Sequence, residues 1–170
     1  MEYRDIYNEK KERTGKIIAK DTPRLPGERI LCVGCWVVNH AHEIFITKRS
    51  PTKRFAPNLW ENTGGHAMAG EDGPTAILRE LKEETGILAS LADLIFLSER
   101  MESAIFTEDY VIVKDFPLED VVLQEGETCD AMWVSIEKWE SMLKSGEIAP
   151  SVNEKLQTHK QRLLDIIASV

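Results

Sequence analysis

The segment GHAMAGEDGPTAILRELKEETGI, residues 65–87, carries one helix with both of its ends written out. Gly73-Pro74 marks the start, because proline fits the first helical position, where its missing N–H costs nothing. Asp72 stands just upstream as a cap and complements the positive end of the helix. Gly86 supplies a left-handed stop. On a wheel of roughly 3.6 residues per turn, Ile77, Leu78, Leu81 and Thr85 fall on one side, which predicts the buried face. Glu80, Glu83 and Glu84 fall on the flank beside it, since residues three and four apart are neighbours on a helix.

Three carboxylates on one flank repel one another by a few tenths of a kcal/mol per pair in water. Beside a buried face, where the dielectric is lower, the repulsion grows. A hard divalent cation removes the conflict, and an all-oxygen donor set suits magnesium or manganese rather than zinc or copper. Charge clustering on a helix is common on solvated faces, so the three glutamates alone decide little. Their spacing decides more. Gly65, five residues, Glu71, seven residues, Arg79-Glu80-Leu81, one residue, Glu83-Glu84, one residue and Gly86-Ile87 form a pattern of seven strict and two aliphatic positions. At roughly 5–10% usage per strict position, a chance match is on the order of one in a million or rarer.

That pattern resembles the Nudix box without a departure. The resemblance implies a Nudix-type α/β/α sandwich with a mixed β-sheet, and an enzyme that hydrolyses a diphosphate linking a nucleoside to another moiety. It also implies Mg2+ or Mn2+ as cofactor. Carried over by position, Glu80, Glu83 and Glu84 are the metal-binding or base carboxylates, and the carbonyl of Gly64 or Gly65 is a further ligand. Arg79 and Glu71 are orienting partners of the loop and helix. The chemistry agrees: metal ions screen an anionic diphosphate, lower the pKa of water and steady a leaving oxygen.

Outward from this segment, Lys48, Arg49, Lys53 and Arg54 form a basic cluster in an otherwise acidic chain. Arg49, with Lys48 or Arg54, is a candidate for the substrate diphosphate, because guanidinium geometry matches phosphate oxygens. Downstream, QEGETCDAMWVS (residues 124–135) places acidic residues before a Trp-Val strand. This is similar to the distal loop of many Nudix enzymes, where a glutamate supplies a metal ligand or the base. Glu125 is the first candidate there and Glu127 the second. Trp60 is expected to pack under the box rather than stack on a base.

The remaining chain reads as a hairpin of Asp5–Tyr7 and Lys16–Ile18 around a turn at 8–15, then a connector at 21–27 with two prolines. Strands follow at Glu28–Val38 and Glu43–Lys48, joined by a turn whose His40 and His42 face solvent. A short strand then leads into a Gly64-Gly65 turn. After Gly86, strands are expected within Ile87–Glu99, at Ala104–Phe106 and at Tyr110–Asp115. Ser135 caps a helix over Ile136–Lys144. Ser151 to Glu154 reads as a capping box opening one last helix towards Ile167. Cys32 and Cys35 spell C-x-x-C, but lie in a strand, where residues three apart face opposite ways; they read as structural.

The 170 residues, 42% hydrophobic, suit one domain spanning 1–170, with 1–27 as hairpin and connector and 151–170 as a terminal helix. A net charge of −8 disfavours a nucleic-acid polymer as partner. No apolar run reaches membrane-spanning length and the first residues carry no signal-peptide core, so a cytoplasmic chain acting on a small molecule is expected. A homodimer is expected only as what relatives often form. Two alternatives stay open. DIYNEKKERTGKI and KRSPTKRFAPNLWENTGGH are similar to the branch of the superfamily related to isopentenyl-diphosphate isomerase. Those isomerases carry a cysteine before the Gly-His pair, where this chain has Gly64 before Gly65-His66, and their box helix is degraded where this one is intact. The other alternative is a sensor that binds a nucleotide diphosphate without turnover.

Overall fold

The computed structural model describes every residue except 1, 103 and 157, and every remaining side chain except those of residues 153–155. Nine strands and four helices follow one another along the described chain. β1 (Tyr3–Tyr7) and β2 (Arg13–Ala19) make a separate antiparallel pair. The main sheet contains β3 (Ile30–Val38), β4 (Ile44–Arg49), β5 (Trp60–Glu61), β6 (Thr63–His66), β7 (Leu94–Glu102), β8 (Ile105–Val113) and β9 (Thr128–Val134). Its path is β5-β4-β3-β8-β7, with β6 paired to β3 and β9 to β4. β3 and β8 run parallel and the other pairs antiparallel, so the sheet is mixed.

β3 is apolar throughout, and all nine of its residues are buried. A strand covered on both faces has no use for polar alternation. On one face, Val33, Cys35 and Phe45 meet Ile77 and Leu81 of α1 (Gly73–Thr85). On the other, Trp36, Val38 and Ile46 meet α2 (Ile136–Ser145), α3 (Pro150–Leu156) and α4 (Lys160–Ala168). The Trp36 and Trp139 rings cross edge to face with centroids 5.4 Å apart. At about 25 cal/mol per Å² and about 200 Å² per ring, burying each indole contributes roughly 5 kcal/mol, an upper bound because the unfolded chain already hides some surface. Helices on both faces of a mixed sheet give the expected α/β/α sandwich.

The ends of α1 are as the sequence wrote them. Asp72 accepts from the Thr75 N–H at 3.0 Å, and Gly86 sits at φ 73° with its N–H on the Lys82 carbonyl. Cys32 and Cys35 are buried, unlinked thiols in β3, with burial pushing the Cys35 thiol up. His40 and His42 are exposed at the β3–β4 turn. No described helix is long and apolar enough to cross a membrane.

Several boundaries differ from expectation. Gly64 and Gly65 are strand residues rather than a turn, paired with Gly34 and Val33. Glycine is needed because a Cβ at Gly64 would stand 2.6 Å from the Val33 carbonyl oxygen. The strands expected at Ala104–Phe106 and Tyr110–Asp115 are one strand, β8, whose polar middle is held by continuous parallel pairing from Ile30↔Ile105 to Val38↔Val113. Within it Asp109 is buried and ion-paired to Arg100 at 3.0 Å. β7 begins at Leu94, after a short 3-10 turn at Leu91–Asp93. The single last helix is instead α3 and α4. Buried His159 separates them and ties the bend to β7 through the Ser98 hydroxyl, 2.9 Å from Nδ1. The Glu154 half of the expected capping box lies outside the described side chains. Trp60 does pack, but on the core of α2–α4, across the sheet from the box helix.

Candidate active site

The cleft is built where α1 crosses β6. Ile77 and Leu81 pull α1 onto the sheet, and that contact turns the adjoining flank, Glu80, Glu83 and Glu84, towards the Gly64–His66 strand. Gly65 allows the approach: a Cβ there would lie 2.3 Å from the Glu80 carboxyl carbon. Arg79 fixes the remaining freedom. Its Nε and Nη2 grip the two oxygens of Glu71 at 2.8 and 2.9 Å, and Nη2 also donates to the His66 carbonyl at 3.1 Å. Glu71 in turn accepts from the Met68 N–H at 2.8 Å. Loop, strand and helix are thereby locked together by one forked cation, a geometry that only guanidinium supplies. The guanidinium holds the Glu71 carboxyl below the usual carboxylate range.

Glu84 differs from its neighbours. It is 8% exposed, at the buried edge of the flank. Burial pushes its carboxyl well up, and the nearby charges of Glu61, Glu80 and Glu127 push the same way. The Gly64 N–H is the opposing hydrogen bond. Among the described residues, no lysine or arginine forms an ion pair with Glu84. Glu80 is raised too, first by burial, although Arg79 Nη1 stands 3.0 Å from it. Glu83 also pairs with Arg79, at 3.0 Å, from a more exposed position.

The loop after α1 closes the far side. Backbone groups at the end of the helix hold it: Val122 N–H donates to the Thr85 carbonyl at 2.8 Å, and the Glu84 carbonyl accepts from Gln124 N–H and the Thr128 hydroxyl, both at 3.2 Å. This brings Glu127 to the cleft, where it pairs with Lys53. Glu125 is exposed and is not among the residues that border the cleft, whereas Glu127 is.

A cavity of about 280 Å³ lies between these parts, bordered by Gly64, Gly65, Arg79, Glu80, Glu83, Glu84 and Glu127 with Arg49. Lys48 and Arg54 are not brought to it. The Lys48 ammonium sits 5.6 Å over the Trp60 ring, and Arg54 is exposed. Arg49 reaches the cleft, but its Nη1 holds both oxygens of Glu61 at 2.7 and 2.8 Å while Nε donates to the Phe55 carbonyl. Sequence reading named Lys53 only as part of the basic cluster and did not single out Glu61 or the hairpin residues Arg4 and Lys20, all near the box carboxylates. For Glu61 a signal existed, an acid alternating with Thr63 just before the glycine pair. For the hairpin none did.

The donor set fits a hard divalent ion. It is all oxygen, and the buried Glu84 faces three like charges that a cation offsets. Among the described residues, no three His, Cys, Asp or Glu side chains are already gathered as a group that could hold a metal ion. Magnesium tolerates this, because it ordinarily keeps waters and substrate phosphate oxygens among its ligands.

A mixed sheet between helices, with a carboxylate-bearing helix clamped to a glycine strand, defines the Nudix class of protein. The chain matches the family model of the NUDIX domain over residues 28–152, and it belongs to that family. An uncharacterized Nudix hydrolase of Listeria monocytogenes is 35% identical over 152 residues, covering 88% of this chain and 89% of that protein. An isopentenyl-diphosphate Delta-isomerase of Paenarthrobacter aurescens is 36% identical over 66 residues, covering 38% of this chain and 36% of that protein. In fold, the crystal structure of DR0079 from Deinococcus radiodurans superposes with a TM-score of 0.77 at 24% identity, over 93% of this chain and 99% of that one. The protein is thus a Nudix hydrolase. Members of the family hydrolyse nucleoside diphosphate derivatives, generally with a divalent metal such as Mg2+ or Mn2+.

Proposed function

We propose that this chain hydrolyses the diphosphate linkage of a small-molecule nucleoside diphosphate derivative, with Mg2+ or Mn2+ held by Glu80, Glu83 and Glu84. Gly64 or Gly65 would offer a carbonyl, and Glu127 would be a further ligand from the loop. The observation that carries this reading is Glu84, a buried carboxylate turned towards Glu61, Glu80 and Glu127 with no cationic partner among the described residues. Such an arrangement is costly in the metal-free protein. It becomes favourable with a bound cation.

When bound, the metal supplies charge neutralisation and an activated water. The chain does the rest. Arg79 and Glu71 hold the glutamate flank at a fixed distance from the glycine strand, so little reorganisation accompanies the reaction. A glutamate of the same set accepts the proton of the attacking water. Arg49, at the border of the cleft, meets the departing phosphate after loosening from Glu61. A second cavity of about 440 Å³ shares Arg49 and Gly64–His66 with the first and is partly walled by Phe55 and Ile105. It takes the moiety on the other side of the diphosphate.

Purified protein with Mg2+ is to be mixed with nucleoside diphosphate derivatives, including ADP-ribose, and with isopentenyl diphosphate. Release of nucleoside monophosphate or phosphate, abolished by chelation, is expected. The partial isomerase similarity supports a second reading, and a shifted double bond without release would favour it. Against it, Gly64 has no thiol for proton transfer at carbon. Binding without any product would favour a sensor.

A further inference from the structure

Residues 1–27 lie before the segment that the family model matches, yet their hairpin forms part of the cleft. Alternation along a strand explains how. Arg4 pairs with Ile18 in the β1–β2 ladder, and the Lys20 N–H bonds to the Glu2 carbonyl at 3.0 Å. Glu2, Arg4, Ile6, Ile18 and Lys20 therefore share one face of the hairpin. The apolar end of that face, Ile6 and Ile18, buries against Ile30 and Ile105. The charged end, carrying Arg4 and Lys20, continues to the cleft and borders it together with the box glutamates.

The position is fixed by backbone bonds to the box loop. Ala69 N–H donates to the Tyr3 carbonyl at 2.8 Å, and Gly70 N–H to the Asp5 carboxylate at 2.8 Å. Arg13 Nη2 reaches the Glu71 carbonyl at 2.5 Å. Tyr7 and Arg29 exchange backbone bonds at 2.8 and 3.1 Å. The hairpin is tied to the same loop that Glu71 and Arg79 stiffen.

The other cations of the cleft are committed to carboxylates. Arg79 serves Glu71, Glu80 and Glu83; Arg49 serves Glu61; Lys53 serves Glu127; Lys20 serves Glu2. Arg4 makes no ion pair with any described carboxylate, although its charge helps hold the neighbouring Glu2 carboxyl low, and its Nη1 donates only to the Lys20 carbonyl, at 3.4 Å. A half-buried guanidinium at the rim of this cleft, with most of its five donors unspent, matches a phosphate group. The Lys20–Glu2 pair is exposed, with side chains 48% and 46% accessible, so water screens it and a phosphate can displace Glu2 at little cost.

We propose that the N-terminal hairpin is the phosphate clamp of this enzyme: Arg4, with Lys20 beside it, binds diphosphate oxygens at the border of the cleft that the hairpin forms. This rests on the diphosphate reading above. It assigns to the hairpin the binding of the diphosphate itself, whatever the attached moiety.

The test uses full-length protein and methylenediphosphonate, whose bridge resists hydrolysis, titrated calorimetrically in saturating Mg2+. Arg4→Gln should weaken binding about tenfold, the loss of roughly one charge-assisted contact. It should raise KM by a similar factor while kcat falls less. Arg4→Lys should recover part of the affinity. Lys16→Gln, on the same hairpin and outside the cleft, should bind as the parent does, which separates contact from a disturbed hairpin. If the parent binds and hydrolyses diphosphates and Arg4→Gln binds equally well, the clamp is wrong and the hydrolase reading survives. If the parent neither binds methylenediphosphonate nor cleaves any diphosphate, the underlying reading fails and the clamp with it. Should Arg4→Gln unfold, Lys20→Gln carries the same comparison, with a loss of binding expected and unchanged binding overturning the clamp.

Discussion

Glu84→Gln should stabilise the metal-free protein while disabling the enzyme. The isostere keeps an acceptor for the Gly64 N–H and removes a charge that is 8% exposed and faces Glu61, Glu80 and Glu127. Substitutions that relieve such a conflict commonly gain about 0.5–2 kcal/mol. At about 2–4 °C per kcal/mol for a chain of this length, Tm should rise by about 1–8 °C in EDTA. The gain depends on pH in a fixed direction. An acid whose folded pKa lies above its ordinary 4.5 removes stability as pH rises from 4.5 through that raised value. Variant and parent should therefore melt together near pH 4.5 and separate as pH increases. Activity should move the other way. Loss of a carboxylate that binds the ion or accepts the proton lowers kcat by about 10²–10⁴, or roughly 3–5 kcal/mol of barrier. Differential scanning fluorimetry in EDTA from pH 4.5 to 9, with Mg2+-dependent phosphate release, measures both. A destabilised variant, or one turning over at near-normal rate, would refute the argument that the glutamate flank is held in conflict for a cation.

Arg79→Lys loses the fork to Glu71 and the His66 carbonyl; a destabilisation of about 1–2 kcal/mol is expected after allowing for solvent at the pair, with Tm lower by about 2–8 °C and kcat reduced. Because Glu71 is held below the usual carboxylate range, the stability it shares with Arg79 is present above pH 4.5 and is lost as pH falls further, so this variant should differ least from the parent in acid melts. Gly65→Ala places a methyl 2.3 Å from the Glu80 carboxyl carbon; Mg2+ affinity by isothermal titration should fall tenfold or more, and an unchanged affinity would show that the close approach is not needed. The rise in Tm produced by a fixed Mg2+ concentration should grow with pH, because protons on Glu80 and Glu84 compete with the ion; a pH-independent increment would place the ion elsewhere.

The box helix was legible because its determinants are local. A cap, a stop and an apolar stripe are settled within a few turns, so Asp72, Gly86, Ile77 and Leu81 specify α1 wherever it packs. The mostly apolar run at 28–38 likewise announced a strand, and the structure shows that both of its faces are covered. Elements shaped by distant partners were less legible. Thr107 to Asp109 look like a loop and become strand because β3 lies alongside for nine residues and Arg100 neutralises Asp109. The last helix looks continuous and bends because His159 reaches Ser98, some sixty positions earlier.

The same division runs through the cleft. Chemistry type was fixed locally: carboxylates at spacings of three and four must share a flank. Which acid of the 124–128 loop faces inward, which cation is already spent on a carboxylate, and that Arg4 arrives from the far end of the chain were decided by folding. These are matters of who stands next to whom across tens of residues. Side-chain identity carries no record of that until the sheet brings the partners together.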